Sequence, residues 1–161
     1  MAKDSPKVLI TGASRGIGRA IALRLKEKNH EVIGTATSKL GIESLAKEGV
    51  IGIELDLNNK KSIETFNKLL VNEHTDISVL INNAGITRDN IVLRMTDDEW
   101  MEVMNVHLNG NFKISKTILK FMLKKRWGRI INITSVSASI GNKGQSNYSA
   151  AKSGVEAFSR S

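Results

Sequence analysis

The chain has 161 residues, 40% apolar and 25% charged, which suits a single soluble globular domain large enough to bury a core. It has no cysteine, and His30, His74 and His107 are scattered, so disulfides and thiolate metal centres are excluded and no metal site is expected. The formal charge is +8, but seven of the 24 basic residues fall in 113–129, which has no acid, leaving 17 basic against 16 acidic elsewhere; with aromatics at 4%, this local patch argues against a nucleic-acid binder.

The N-terminus has no apolar segment of signal-peptide length, and no later run is long enough to span a bilayer. No membrane partner is expected, and the cytoplasm is the default setting. The only proline, Pro6, precedes a short buried-type strand, "KVLIT" at 7–11. Glycines at 12, 16 and 18 follow, then a helical run, "RAIALRLKEKN". Next come a strand at 31–37, a short helix ending near Gly49, a strand at 50–57 with Asp56 near its end, and a helix over 61–73. The segment "ISVLINNAG" is a fourth strand running into a tight turn. Thr96 and Glu99 form a capping-box pattern with Asp97 and Asp98 in the first turn. Apolar positions 100, 103, 104, 108, 112, 114, 118, 119, 122 and 123 then predict one long helix, followed by a fifth strand over 129–134. Strand and helix alternate throughout, without internal repeats. The pattern predicts an α/β fold: a Rossmann-type, doubly wound parallel sheet with helices on both faces.

"TGASRGIG" joins the first strand to the first helix. Its spacing is GxxxGxG rather than GxGxxG, but it meets the same need: a tight turn, backbone close to phosphate, and a helix N-terminus facing negative charge. A purely structural glycine turn would look similar in isolation; the strand before it and the helix after it favour a dinucleotide site. An acid after the second strand would hold the ribose hydroxyls of NAD, but "GTATSK" has none there, and Arg15 lies in the glycine loop. NADP(H) is the expected cofactor; the bland reading is that Arg15 and Lys39 are solvated surface charges.

"SNYSAAKSG" holds the only tyrosine, Tyr148, with Lys152 one helical turn further on. Taken in order, "TGASRGIG", "NNAG" at 82–85, Ser135 and Tyr148-x-x-x-Lys152 resemble the short-chain dehydrogenase/reductase family. "NNAGITRDN" and "KKRWGRIINITSVSASIGNKGQSNYSAAKSG" are similar to the members that reduce the 3-keto group of thioesters on acyl-carrier protein during fatty-acid synthesis. The resemblance covers the whole chain and implies one NADP(H)-binding domain over 1–161, corresponding to the N-terminal two-thirds of such an enzyme. Cut before its later strands, the isolated piece is expected to be inactive and poorly stable.

The resemblance assigns Gly12, Ser14, Arg15, Gly16, Ile17 and Gly18 to the cofactor loop. It assigns Thr37 to the adenosine phosphate region, Asp56 and Leu57 to the adenine, and Asn83, Ala84 and Gly85 to the cofactor wall. It makes Ser135, Tyr148 and Lys152 catalytic, with Tyr148 and Lys152 also touching the cofactor. At the position of a family asparagine that helps a proton relay stands His107: a functional substitute, a core histidine or a mark of reduced activity. Lys124, Lys125, Arg126 and Arg129 resemble a docking surface for an acidic carrier protein; a solvated helix end would also be basic. A homotetramer is implied by likeness. The alternatives are a reductase of acyl-CoA or another small ketone, and a non-catalytic nucleotide-binding scaffold.

Overall fold

A computed structural model describes residues 5–161. Five parallel strands form one sheet in the order β3-β2-β1-β4-β5: β1 is Lys7–Ile10, β2 Val32–Ala36, β3 Ile51–Glu54, β4 Ile77–Asn82 and β5 Arg129–Asn132. Parallel neighbours require crossovers, and the helices supply them: α1 Gly16–Glu27, α2 Lys39–Lys47, α3 Lys60–Glu73, then α4 Asp97–Met104 and α5 Gly110–Lys125 between β4 and β5. A short α6, Ser137–Ile140, and α7, Ser146–Arg160, follow β5.

Alternation along β1 explains the two layers. Val8 and Ile10 face one side and pack with Ala22 of α1 and Leu45 of α2. Leu9 faces the other and packs with Phe66 and Leu70 of α3 and Ile114, Ile118 and Phe121 of α5. Strands buried on both faces read as continuous apolar runs, as "VLI" and "SVLI" do. Each fully buried Leu, Ile or Phe side chain contributes about 1.5–3 kcal/mol. The sheet is doubly wound, as the strand–helix alternation predicts.

The long helix between β4 and β5 differs from expectation. The Thr96–Glu99 capping box starts it: Thr96 Oγ1 accepts the Glu99 N–H at 3.1 Å and the Glu99 carboxylate accepts the Thr96 N–H at 2.8 Å. A π-helical segment, Asn105–Asn109, then interrupts it. The two parts pack on different partners, α4 against α7 and α5 against β4 and α3. Trp100, Phe112, Leu119 and Leu123, which the apolar spacing places on a buried stripe, are 38–73% exposed.

Strand order reverses between β1 and β4, since β2 and β3 lie on one side and β5 on the other. In open α/β sheets a crevice opens there, at the carboxyl ends of the strands.

Candidate active site

The crevice is a groove of about 780 Å³ whose walls are the segments that leave β1 to β4. Gly12, Ser14, Arg15, Gly16 and Ile17 follow β1; Thr37 and Ser38 follow β2; Leu55, Asp56 and Leu57 follow β3; Asn83, Ala84, Gly85 and Ile86 follow β4. Eleven of the twelve residues that the sequence assigns to the cofactor loop, adenosine end and cofactor wall line it. The twelfth, Gly18, is buried beneath the loop. A Cβ on Gly18 would lie 2.3 Å from Gly12 O and 2.4 Å from Asn83 Nδ2, so only glycine lets the loop close on the helix.

A reciprocal clamp holds the two sides of the crevice. Thr11 Oγ1, fully buried, accepts the N–H groups of Asn83 and Ala84, each at 3.0 Å. Asn83 Nδ2 donates back to Thr11 O at 3.0 Å and Gly12 O at 2.9 Å. Asn83 therefore shapes the wall from within. Asp56 accepts the Asn58 N–H at 2.9 Å in an Asx turn while its residue lines the groove, so it forms a turn and a wall together.

A dinucleotide fits this groove on two observations. Arg15, the N-cap residue of α1, makes no side-chain cap bond among the described residues, so the first N–H groups of the helix are left to face an anion. The edge of the groove past β2 carries Thr37 and the Ser38 N-cap rather than a carboxylate.

The groove continues into a second cavity of about 520 Å³. Arg15, Ile17, Asn83, Gly85 and Ile86 line both, and Thr87, Arg88, His107, Ile133, Thr134, Tyr148 and Lys152 complete the second. Tyr148 and Lys152 share one face of α7, with Lys152 Nζ 5.6 Å from the Tyr148 ring centroid. Lys152 is 4% exposed, and its Nζ donates to Ile133 O at 2.6 Å. Burial pushes its pKa down from 10.5 to about 8. Ser135 stands just outside the lining; its Oγ accepts the Ser137 N–H at 3.2 Å at the start of α6.

His107, in the π-helical segment, is 2% exposed and meets the Tyr148 ring edge-on with centroids 5.1 Å apart. Burial, reinforced by the nearby Lys152 charge, pushes its pKa down from 6.5 to about 4, although its hydrogen bond with Ile86 works the other way. Asn109, two residues on, is exposed and bonds Asn105 instead.

The basic cluster lies elsewhere. Lys125 ends α5, Arg126 caps it in the left-handed conformation, and Arg129 begins β5 with its guanidinium 5.4 Å from the Trp127 ring centroid. The cavity takes Ile133 and Thr134 from beyond the other end of β5. Four residues of strand, about 13 Å, separate the two.

Three buried polar residues position these parts in roles that sequence reasoning did not assign, although Asn82 lies in the quoted "NNAG". Thr11 is the clamp above, signalled only by a polar residue ending an apolar strand. Asn82 donates to Asn132 Oδ1 at 2.8 Å and Ser115 Oγ at 3.2 Å, tying β4 to β5 and α5. Asn147, fully buried, donates to Arg88 O at 2.9 Å and Glu99 O at 3.2 Å and accepts the Tyr148 N–H at 2.7 Å.

The comparisons agree with this geometry. Residues 6–161 match the family model described as short chain dehydrogenase. The 3-oxoacyl-[acyl-carrier-protein] reductase FabG of Haemophilus influenzae is 51% identical over 156 residues, which cover 95% of this chain and 64% of that protein. The Pseudomonas aeruginosa protein of the same name is 47% identical over 167 residues, covering 99% and 67%. A crystal structure of a short-chain dehydrogenase from Streptomyces avermitilis superposes with a TM-score of 0.91 at 29% identity, covering 99% of this chain and 60% of that one. The chain thus spans about two-thirds of the length of these relatives. With the parallel sheet, the crevice at its switch point and the Tyr148–Lys152 pair at one end of it, the match over 6–161 shows that the chain belongs to the short-chain dehydrogenase family.

Proposed function

We propose that this sequence belongs to an NADPH-dependent reductase of 3-oxoacyl thioesters carried on an acyl-carrier protein. The observation that carries the reading is Tyr148 and Lys152 lining a cavity that shares five lining residues with the groove. The names of the relatives supply the substrate class.

NADPH supplies the hydride. Tyr148 donates the proton to the oxygen that becomes an alcohol, and Ser135 turns its hydroxyl from Ser137 to the substrate carbonyl. A free tyrosine has a pKa near ~10, so its phenolate is a poor partner for neutral proton transfer. A lysine cation beside the ring gives electrostatic support to the oxygen at which charge develops. Lys152 holds that charge close by and also reaches the nicotinamide ribose. The loop from Gly12 to Gly18 takes the diphosphate on the N-terminus of α1. Ser14, Arg15 and Thr37 hold the 2′-phosphate, and Asp56 and Leu57 border the adenine. Ala84 and Gly85 form the wall beside the nicotinamide.

Lys125, Arg126 and Arg129 form the docking surface for the acidic carrier. It meets the chain at the end of β5 remote from Tyr148 of the same subunit. The full-length enzyme works in the cytoplasm as a homotetramer.

The test measures cofactor oxidation by the full-length protein with acetoacetyl-carrier protein and acetoacetyl-CoA, each with NADPH and NADH. The expected outcome is a kcat/KM highest for the carrier-bound substrate with NADPH. A preference for the CoA thioester would move the assignment to acyl-CoA reduction, and tighter NADH binding would overturn the cofactor.

A further inference from the structure

The basic stretch 113–129 does not form one surface. Lys125, Arg126 and Arg129 gather at the end of α5, but Lys113, Lys116 and Lys120 lie further up that helix at steps of three and four residues, which places them along one face. Neither the cofactor groove nor the Tyr148 cavity uses them. With Lys60 and Thr117 they border a groove of about 300 Å³ between α3 and α5. Past Asn67, Thr117 and Lys120 it continues into a second of about 500 Å³, which adds Lys68 and Val71.

Five lysines meet one carboxylate along this path. That carboxylate, Glu64, stands 4.0 Å from Lys60 Nζ. Lys68, Lys113, Lys116 and Lys120 pair with no acid among the described residues. Lys116 instead lies over Phe112, with Nζ 5.7 Å from the ring centroid. Phe112 and Val71 are about half exposed and give the path apolar contacts at both ends. Apolar contacts between two helices, flanked by unpaired ammonium groups, fit an amphipathic helix with acidic flanks. A second copy meeting the groove symmetrically would bring the same five lysines, so like charge opposes that contact. The apolar row of α5 is separate: Leu119 and Leu123 border a different groove, beside Trp127 and β5.

The position of the groove matters as much as its charge. α5 begins directly after the π-helical segment whose His107 lines the Tyr148 cavity, and α3 follows Asp56 and Leu57 of the cofactor groove. From Lys125 back to Lys113 the helix rises about 18 Å. The groove therefore extends positive charge from the remote helix end toward the end of the sheet that holds the site. We propose that the α3–α5 groove is a second docking surface, which takes an acidic amphipathic helix of the acyl-carrier protein and brings its thioester to the cavity's end of the chain. The proposal rests on the reductase reading for the identity of the partner, while charge and shape define the surface.

The test uses the full-length protein and acyl-carrier protein bearing no acyl group. Lys113→Glu combined with Lys120→Glu should weaken carrier binding by about tenfold or more at low salt, and the gap should narrow as ionic strength rises. NADPH affinity and kcat/KM for acetoacetyl-N-acetylcysteamine, a thioester without charge, should stay within about twofold of wild type, since no charge on either side of the groove is involved. Unchanged carrier binding would overturn the proposal. So would a changed oligomeric state in gel filtration, which would give the groove to a second copy. A further measurement needs no variant: carbodiimide cross-linking of the wild-type complex, read by mass spectrometry, should join carrier carboxylates to Lys113, Lys116 or Lys120. Cross-links confined to Lys124 and Lys125 would overturn the groove even if the charge-reversed protein fails to fold. If the groove lysines cross-link but no 3-oxoacyl thioester is reduced, the reductase reading fails and the docking surface stands. If reduction proceeds and they do not cross-link, the docking surface alone fails.

Discussion

Lys152 is the residue where stability and activity pull apart. Burial depresses its pKa from 10.5 to about 8, so the folded chain holds this proton less tightly than the unfolded chain does. Between about pH 8 and 10.5 the unfolded state is protonated while the native state has shed its proton. Stability therefore rises with pH through that window, and below it the native protein carries the full cost of a buried charge. Replacing Lys152 with Met removes the charge and keeps most of the stem. Chemical denaturation should find K152M more stable relative to wild type at pH 7 than at pH 10, the difference narrowing across the window. Turnover should fall by at least about 10²-fold, since the cation beside Tyr148 is gone. A constant difference between the two proteins at both pH values would show that Lys152 is not depressed.

At the level of elements, α7 depends on a residue that sequence patterning passes over. Asn147 uses its whole amide: two donor bonds reach the backbone carbonyls of Arg88 and of Glu99 in α4, and its oxygen accepts the N–H of Tyr148. Asn147→Ala removes three part-buried hydrogen bonds at about 0.5–1.5 kcal/mol each, so we expect a loss of about 3 kcal/mol in denaturant titration. It should also lower kcat more than cofactor affinity, because Tyr148 is the next residue. The contrast with Tyr148 shows what was legible. The strands were readable from apolar runs, and the glycine loop and Tyr148–Lys152 from spacing within one short stretch. Thr11, Asn82 and Asn147 were not, because each gains its meaning from a partner 33 to 73 positions away on another element. The π-helical turn was invisible for a different reason: no residue type in "NVHLN" demands it, and apolar spacing over 100–123 averages across one wide turn.

For the whole molecule, the Tyr148–Lys152 cavity lies at one end of the sheet and the basic cluster at the other. Reversing charge with Lys125→Glu and Arg126→Glu should leave the cavity untouched. In the full-length enzyme it should reduce kcat/KM for carrier-bound substrate by about tenfold or more at low salt, while a free acyl thioester is affected far less. The gap should close as ionic strength rises and screening shortens the reach of the charges. Equal losses on both substrates would assign the cluster to the helix end alone. The same separation of parts gives the wide turn at Asn105–Asn109 a meaning beyond its geometry. Each residue of an α-helix advances the face by about 100°, so the turn fixes the phase of everything after it. Substitutions along α5 change one side chain at a time, but deleting a single residue within 105–109 would rotate His107 off the Ile86 backbone or swing Ile114, Ile118 and Phe121 away from the sheet. The segment behaves like a reading frame written in three dimensions: tolerant of changed letters, intolerant of a changed count.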